Sequence, residues 1–112
     1  MEKSYIPPMN DPVPRNAETI AEAQTRRCRY LDFELAFCRS AIFRGNAFAA
    51  LGELDSACRD AWLVEDTAPV IKRVLAKVKD SEILNQYQAE LNYIQCSLDD
   101  LRTSLGISRD LD

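Results

Sequence analysis

The chain has 112 residues, of which 46% are hydrophobic and 29% are charged, and its formal net charge is −4. A chain of this length forms one domain with a modest core, and its negative charge disfavours binding to bulk nucleic acid or to an anionic membrane. Histidine is absent, and the three glycines form no phosphate-binding pattern. The commonest general base and metal ligand are therefore missing. We expect a protein that is not an enzyme and that uses no cofactor.

Residues 1–16 carry four of the five prolines. Proline removes a backbone donor and biases its neighbours away from helix, so this stretch predicts an extended N-terminal arm that precedes a single helical domain at residues 17–112. The arm is either a disordered tail or a segment that lies across a partner or a twin subunit. No apolar run reaches the length of a membrane span, and no charged segment leads into a hydrophobic one at the N-terminus. We therefore expect a cytoplasmic protein with no membrane association.

The first predicted helix runs from about residue 17 to residue 44, with Asn16 as its N-cap. One apolar stripe on it alternates steps of three and four, and comprises Cys28, Leu31, Leu35, Cys38 and Ile42. A second stripe lies beside the first on the helical wheel, and comprises Tyr30, Phe33 and Phe37. Together they cover a wider arc than one packing contact needs. This helix is therefore either central in a bundle or part of an interface.

Two sets of side chains could carry chemistry. The basic cluster of Arg26, Arg27 and Arg29 has no aromatic platform or second basic stripe beside it in the sequence, which favours a solvated or salt-bridging face over a nucleic-acid site. The four cysteines include no close pair, which favours reduced and mostly packed thiols over a zinc site. Nothing in the sequence therefore predicts a metal or catalytic centre.

Residues 44–57 resemble the middle of a tetratricopeptide repeat. The small and large positions of that repeat are occupied by Gly45, Phe48, Gly52, Leu54 and Ala57, and its closing proline by Pro69. The resemblance implies two antiparallel helices that turn near residues 52–55. The pattern departs from the repeat at Ala41, Arg44 and Val64, and no second copy follows. We therefore infer a helical hairpin and not a peptide-binding groove.

Several helix boundaries are predicted in the middle of the chain. Gly45 and Asn46 predict a break, since glycine is costly inside a helix and asparagine favours caps. A helix over residues 46–64 is then expected to bury Phe48, Leu51, Leu54, Cys58 and Trp62. A further helix is expected to start at Thr67 and Pro69, with an apolar face of Ile71, Val74, Leu75 and Val78. A break at Asp80 and Ser81 precedes the terminal helix, which ends at Gly106.

The terminal helix carries the strongest pattern in the chain. Its apolar residues alternate steps of three and four over three heptads, and they are Leu84, Tyr87, Leu91, Ile94, Leu98, Leu101 and Leu105. The flanking positions offer almost no complementary ion pairs, which favours a bundle seam over a parallel zipper. The fold class predicted for the whole chain is all-α, a compact bundle of four to five helices.

These features predict a non-catalytic regulator that binds another protein. In size, charge and helical build, and in its stripes at residues 84–105 and 30–37, the chain resembles the small QslA-like anti-activators of LuxR-type quorum-sensing receptors. That resemblance implies binding to a transcription regulator, with loss of the regulator's dimerisation or DNA binding. We expect the interface among the seven residues of the terminal stripe together with Tyr30, Phe33 and Phe37.

Two alternatives remain open. The hairpin and the acidic pI also suit a chaperone or adaptor, such as a secretion chaperone or an antitoxin, and direct DNA binding ranks third. The free protein is expected to be a homodimer built from the terminal helix, the first helix or both.

Overall fold

A computed structural model of the chain describes residues 19–106, and all the regular structure in that range is helical. The helices are α1 (Ile20–Ala50), α2 (Leu54–Leu75) and α3 (Ser81–Leu105). The all-α class is confirmed. The described range contains three helices and not the expected four to five. The predicted arm at residues 1–16 lies outside that range. None of the described helices has the length and apolarity that crossing a membrane requires.

The start of α1 is set by Thr19 and not by Asn16. The Thr19 hydroxyl accepts a hydrogen bond from the Glu22 backbone N–H at 3.0 Å, and the Glu22 carboxylate accepts one from the Thr19 N–H at 2.9 Å. This capping box satisfies backbone donors that the first turn leaves unpaired. The helix therefore begins at Ile20, later than the predicted residue 17.

The predicted break at Gly45 and Asn46 is wrong, because α1 continues to Ala50. Gly45 is buried where the other two helices approach α1. A Cβ atom at this position would lie 2.7 Å from Cδ2 of Leu101 and 3.4 Å from Cβ of Asp60. Glycine inside a helix costs about 1 kcal/mol relative to alanine, and the close packing that it allows offsets this cost. Gly45 marks a helix contact and not a helix end.

The hairpin that the repeat-like stretch implied is present between α1 and α2. Residues 51–53 connect the helices, and Gly52 has a φ of 79°, a left-handed conformation that glycine adopts without strain. The predicted helix over residues 46–64 is therefore wrong, since the chain turns inside it. Its expected apolar face is largely outside the core: Leu51, Leu54 and Trp62 are 76%, 52% and 57% exposed.

The second helix is continuous through Thr67 and Pro69, where the sequence predicted a new helix. Its buried face consists of Ala57, Asp60, Ala61, Val64, Ala68, Ile71 and Leu75. One helical stripe thus continues on both sides of Pro69. Packing of that stripe offsets the roughly 3 kcal/mol that proline costs inside a helix. The Thr67 hydroxyl donates to the Leu63 carbonyl at 2.7 Å within α2, and caps no helix.

The third helix has the predicted boundaries. The Asp80 carboxylate accepts hydrogen bonds from the backbone N–H groups of Glu82 and Ile83 at 2.9 and 3.1 Å. At the other end, Gly106 follows the last helical residue with a φ of 75°. These caps are short-range interactions, and that is why the sequence predicted both ends correctly.

The order of contacts along α1 fixes the direction of α3. Near the start of α3, the Tyr87 hydroxyl reaches Asp32, and near its end Leu101 lies at Gly45. The third helix therefore runs parallel to α1 and antiparallel to α2, in an up-down-up bundle. The buried core draws on all three helices, with Leu35 from α1, Ile71 from α2 and Leu91 from α3 among its fully buried members.

Candidate protein-binding face

The terminal stripe forms the seam of the bundle within the single chain. Leu91, Ile94 and Leu101 are 0% exposed, and Leu98 is 4% exposed. The remaining three residues, Leu84, Tyr87 and Leu105, are partly buried and pack against this core. The stripe is thus covered by α1 and α2 without another chain. A partner could contact its four buried residues only if the bundle opened.

Tyr87 fastens the first half of α3 to α1. Its hydroxyl donates to Oδ1 of Asp32 at 2.8 Å and lies 3.2 Å from the Cys28 carbonyl oxygen. Burial and these acceptors raise the pKa of the Tyr87 hydroxyl well above its ordinary value. The hydroxyl therefore stays protonated and serves as a donor that holds two helices together.

The predicted aromatic stripe of α1 is divided by the fold. Phe37 is partly buried and packs against the core, and Tyr30 is partly buried as well. Phe33 points away from the core and is 69% exposed. Of the ten residues predicted at the interface, Phe33 is the one that offers a large apolar surface to a partner.

Phe33 belongs to a further stripe that the sequence analysis did not single out. Phe33, Ala36, Ser40, Phe43, Ala47 and Ala50 follow alternating steps of three and four, and all six are exposed. Leu51 extends the stripe and, like Phe43, is 76% exposed. We call these seven residues the outer face of α1. The alternating spacing is visible in the sequence. Three of its positions are alanines and one is a serine, so this stripe is less hydrophobic than the buried stripe of the same helix.

The outer face of α1 is long and has charged ends. From Phe33 to Ala50 it spans roughly 26 Å at the rise of an α-helix. Arg26 and Arg29 continue the same spacing before Phe33 and are exposed, and exposed Glu53 lies beyond the other end. A helix face of this length, apolar except for Ser40, is a candidate interaction site on a small protein.

The hairpin also brings a lysine from beyond the end of α2 close to the arginines at the start of α1. A cavity of about 380 Å³ is lined by Arg26, Arg27, Tyr30, Val74 and Lys77. Arg26 to Tyr30 belong to α1, whereas Val74 lies in α2 and Lys77 just beyond its end. The fold therefore places Lys77 near the basic cluster, a neighbour that the linear sequence did not reveal. The antiparallel hairpin places the end of α2 beside the start of α1.

Ion pairs inside the bundle connect its helices. Arg102 of α3 pairs with Glu65 of α2, and Arg44 of α1 donates to Oδ1 of Asp60 at 3.1 Å. Arg102 and Asp60 are each 6% exposed. Burying a charge is costly unless a partner compensates it. Each pair compensates one buried charge, while Oδ2 of Asp60 and Nη1 of Arg102 are buried without a hydrogen-bond partner among the described residues.

The cysteines are unpaired thiols in different environments. Cys38 is fully buried, and Cys96 is exposed. Burial raises the pKa of the Cys38 thiol to about 11. A thiol with a raised pKa carries little thiolate at neutral pH and reacts slowly.

Alkaline pH is expected to destabilise the protein through Cys38. Its native pKa lies above the ordinary value of 9.0, so the stabilisation is complete below that pH and is lost as pH rises towards 11. We predict that the free energy of unfolding in urea falls over this window, and falls less steeply in Cys38→Ala. If the free energy of unfolding fell equally steeply with pH in the two proteins, Cys38 would not be the group responsible.

Within residues 19–106, no group of three or more His, Cys, Asp or Glu side chains could hold a metal ion. No protein-family model matches the chain, and no curated protein or solved structure shows significant similarity to it. Over residues 19–106, the fold is a bundle of three helices, and α1 carries an exposed helix face with two phenylalanines.

Proposed function

We propose that this protein is a non-catalytic regulator that binds another protein through the outer face of α1. The observation that carries the proposal is the exposure of Phe33 and Phe43, at 69% and 76%, on a helix whose opposite side is packed in the core. Aromatic side chains dominate interface energetics because each can bury roughly 150–250 Å². Exposing two of them on one helix face favours a protein partner over a small ligand.

The partner that we propose is a LuxR-type transcription regulator in the cytoplasm. The support for this choice is the resemblance to small anti-activators in size, charge and helical build. The outer face of α1 has the spacing that an amphipathic partner helix requires, with large side chains separated by small ones. An amphipathic helix that the regulator uses to dimerise could pack on this face. Covering that helix would compete directly with the regulator's own dimer.

The proposal is tested by titrating a purified LuxR-type receptor on its DNA site with this protein. Excess wild-type protein is expected to reduce the receptor's DNA affinity. Phe43→Glu should weaken this inhibition roughly 30-fold or more, as expected for a hot spot worth about 2 kcal/mol. Tyr93→Glu is the matched control, because Tyr93 is 67% exposed but lies on α3. Full DNA affinity in excess wild-type protein would reject a receptor of this type as the partner.

Affinity capture from the native cell lysate extends the test to other partners. A transcription regulator retained by the wild-type protein and by Tyr93→Glu, but lost with Phe43→Glu, would support the proposal. A secreted effector or a toxin with the same dependence would favour the chaperone or adaptor alternative. Capture that is equally strong with Phe43→Glu would exclude the outer face of α1 as the binding surface.

A further inference from the structure

We infer that the outer face of α1 is self-complementary, and that two copies of the free chain pair through it in antiparallel orientation. The inference goes beyond the proposed function, because it concerns the protein without its regulator and does not depend on which regulator is bound. It rests on the alternation of side-chain size, on the charges at the two ends, and on the exposed area.

Side-chain size favours one antiparallel register. In that register, Phe33 faces Ala50 of the second copy, Ala36 faces its Ala47, and Ser40 faces its Phe43. Both phenylalanines of the outer face then lie against a small residue. The axes of the two helices can therefore approach to 8–10 Å, the distance of normal helix packing. A shift by one heptad would place Phe33 against Phe43 of the other copy and would hold the small residues apart.

The charges at the two ends of the face favour the same orientation. Arg29 precedes Phe33 by four residues, or about 6 Å along the helix. In the antiparallel register it therefore lies level with the hairpin turn of the second copy, which carries exposed Glu53. The two-fold axis repeats this contact at the other end. A parallel pair would instead place each Arg29 beside its equivalent, and like charges would repel.

The exposed area is sufficient for a weak dimer. Phe33, Phe43 and Leu51 are between 69% and 76% exposed, and together with the small residues they bury on the order of 1,000 Å² over two copies, at the lower limit for a specific interface. Such a dimer dissociates readily. Because the regulator uses the same phenylalanines, its binding competes with self-association, and the free protein keeps its apolar face covered until the regulator is present.

Sedimentation equilibrium of the full chain tests the dimer. Between about 1 µM and 1 mM, the range in which weak interfaces dissociate, the wild-type protein is expected to pass from monomer to dimer. Phe43→Glu should remain monomeric throughout, and Tyr93→Glu should dimerise like the wild type. Circular dichroism establishes that both variants are folded. A wild-type protein that stays monomeric, or a dimer that survives Phe43→Glu, would overturn the inference.

A charge swap tests the orientation. Glu53 is suitable because its side chain makes no capping hydrogen bond to α2. Arg29→Glu and Glu53→Arg should each weaken the dimer several-fold, and the double variant should restore it, since the opposite charges meet again. Absence of rescue would reject the antiparallel register.

The remaining outcomes separate this inference from the proposed function. A monomeric protein that still inhibits its regulator would leave the proposed function standing and would remove the dimer. A protein that dimerises as expected in the sedimentation and charge-swap experiments, but binds no regulator, would support the dimer and reject the proposed function. If the protein is monomeric and Phe43→Glu increases protease cleavage within residues 1–18, the face is covered by the chain's own N-terminal segment, and the dimer is rejected.

Discussion

Leu91→Asp is expected to abolish cooperative folding of the bundle. Leu91 is 0% exposed in the seam that α3 makes with the other helices. Removal of a buried leucine side chain alone costs about 2–5 kcal/mol, and a carboxylate in its place adds an unpaired buried charge. The sum approaches the whole stability of a small domain, about 5–15 kcal/mol. Circular dichroism during thermal unfolding should show reduced helicity and no sharp transition.

Ala89→Asp is the control for this variant. Ala89 lies on the same helix but is exposed, so it introduces the same charge without burying it. Its thermal transition should stay within a few degrees of the wild type. Full helicity and a cooperative transition in Leu91→Asp would show that the seam is not buried in the single chain, and would reopen the terminal stripe as a surface for another chain.

Gly45→Leu is expected to separate α3 from the hairpin. A Cβ atom alone would lie 2.7 Å from Cδ2 of Leu101, which is itself 0% exposed, and a leucine adds three more carbon atoms in the same space. Higher helix propensity returns about 1 kcal/mol, but overpacking of even small groups costs about 1–3 kcal/mol. We expect a loss of at least about 3 kcal/mol in urea unfolding for the larger side chain.

Asn46→Leu is the matched control, because Asn46 is the next residue of α1 and is exposed. It should leave the unfolding free energy nearly unchanged. The contact itself is tested by a double-mutant cycle: Leu101→Ala should cost less in Gly45→Ala than in the wild type, because the smaller side chain makes room for the added methyl group. Additive effects would mean that the two positions are not in contact.

The self-association that we infer through the outer face of α1 would give the protein a simple means of control. The free chain would cover Phe33 and Phe43 with a second copy, and the regulator would replace that copy. Inhibition would then depend on the ratio of regulator to total protein and on the weakness of the dimer. Because the proposed dimer and the proposed complex would use the same phenylalanines, Phe43→Glu is expected to weaken dimerisation and inhibition together.

The sequence by itself determined the all-α class, both ends of α3 and the residues of its seam. These features depend on side chains within about one helical turn of each other: Asp80 caps the N–H groups of Glu82 and Ile83, and Gly106 ends the helix. The terminal helix also carries the strongest pattern of regularly spaced apolar residues in the chain. Local interactions of this kind are the same in a peptide and in the folded protein.

Only the tertiary structure decided that α1 passes through Gly45, that α2 passes through Pro69, and that α2 and α3 leave the outer face of α1 exposed. Local propensity opposed the first two, at a cost of about 1 and 3 kcal/mol, and the packing of α2 and α3 outweighed it. The stripe from Cys28 to Ile42 and the outer face of α1 both contain apolar residues. Which of the two is buried depends on where α2 and α3 lie. That choice is made by contacts such as Leu101 at Gly45, between residues far apart in the chain.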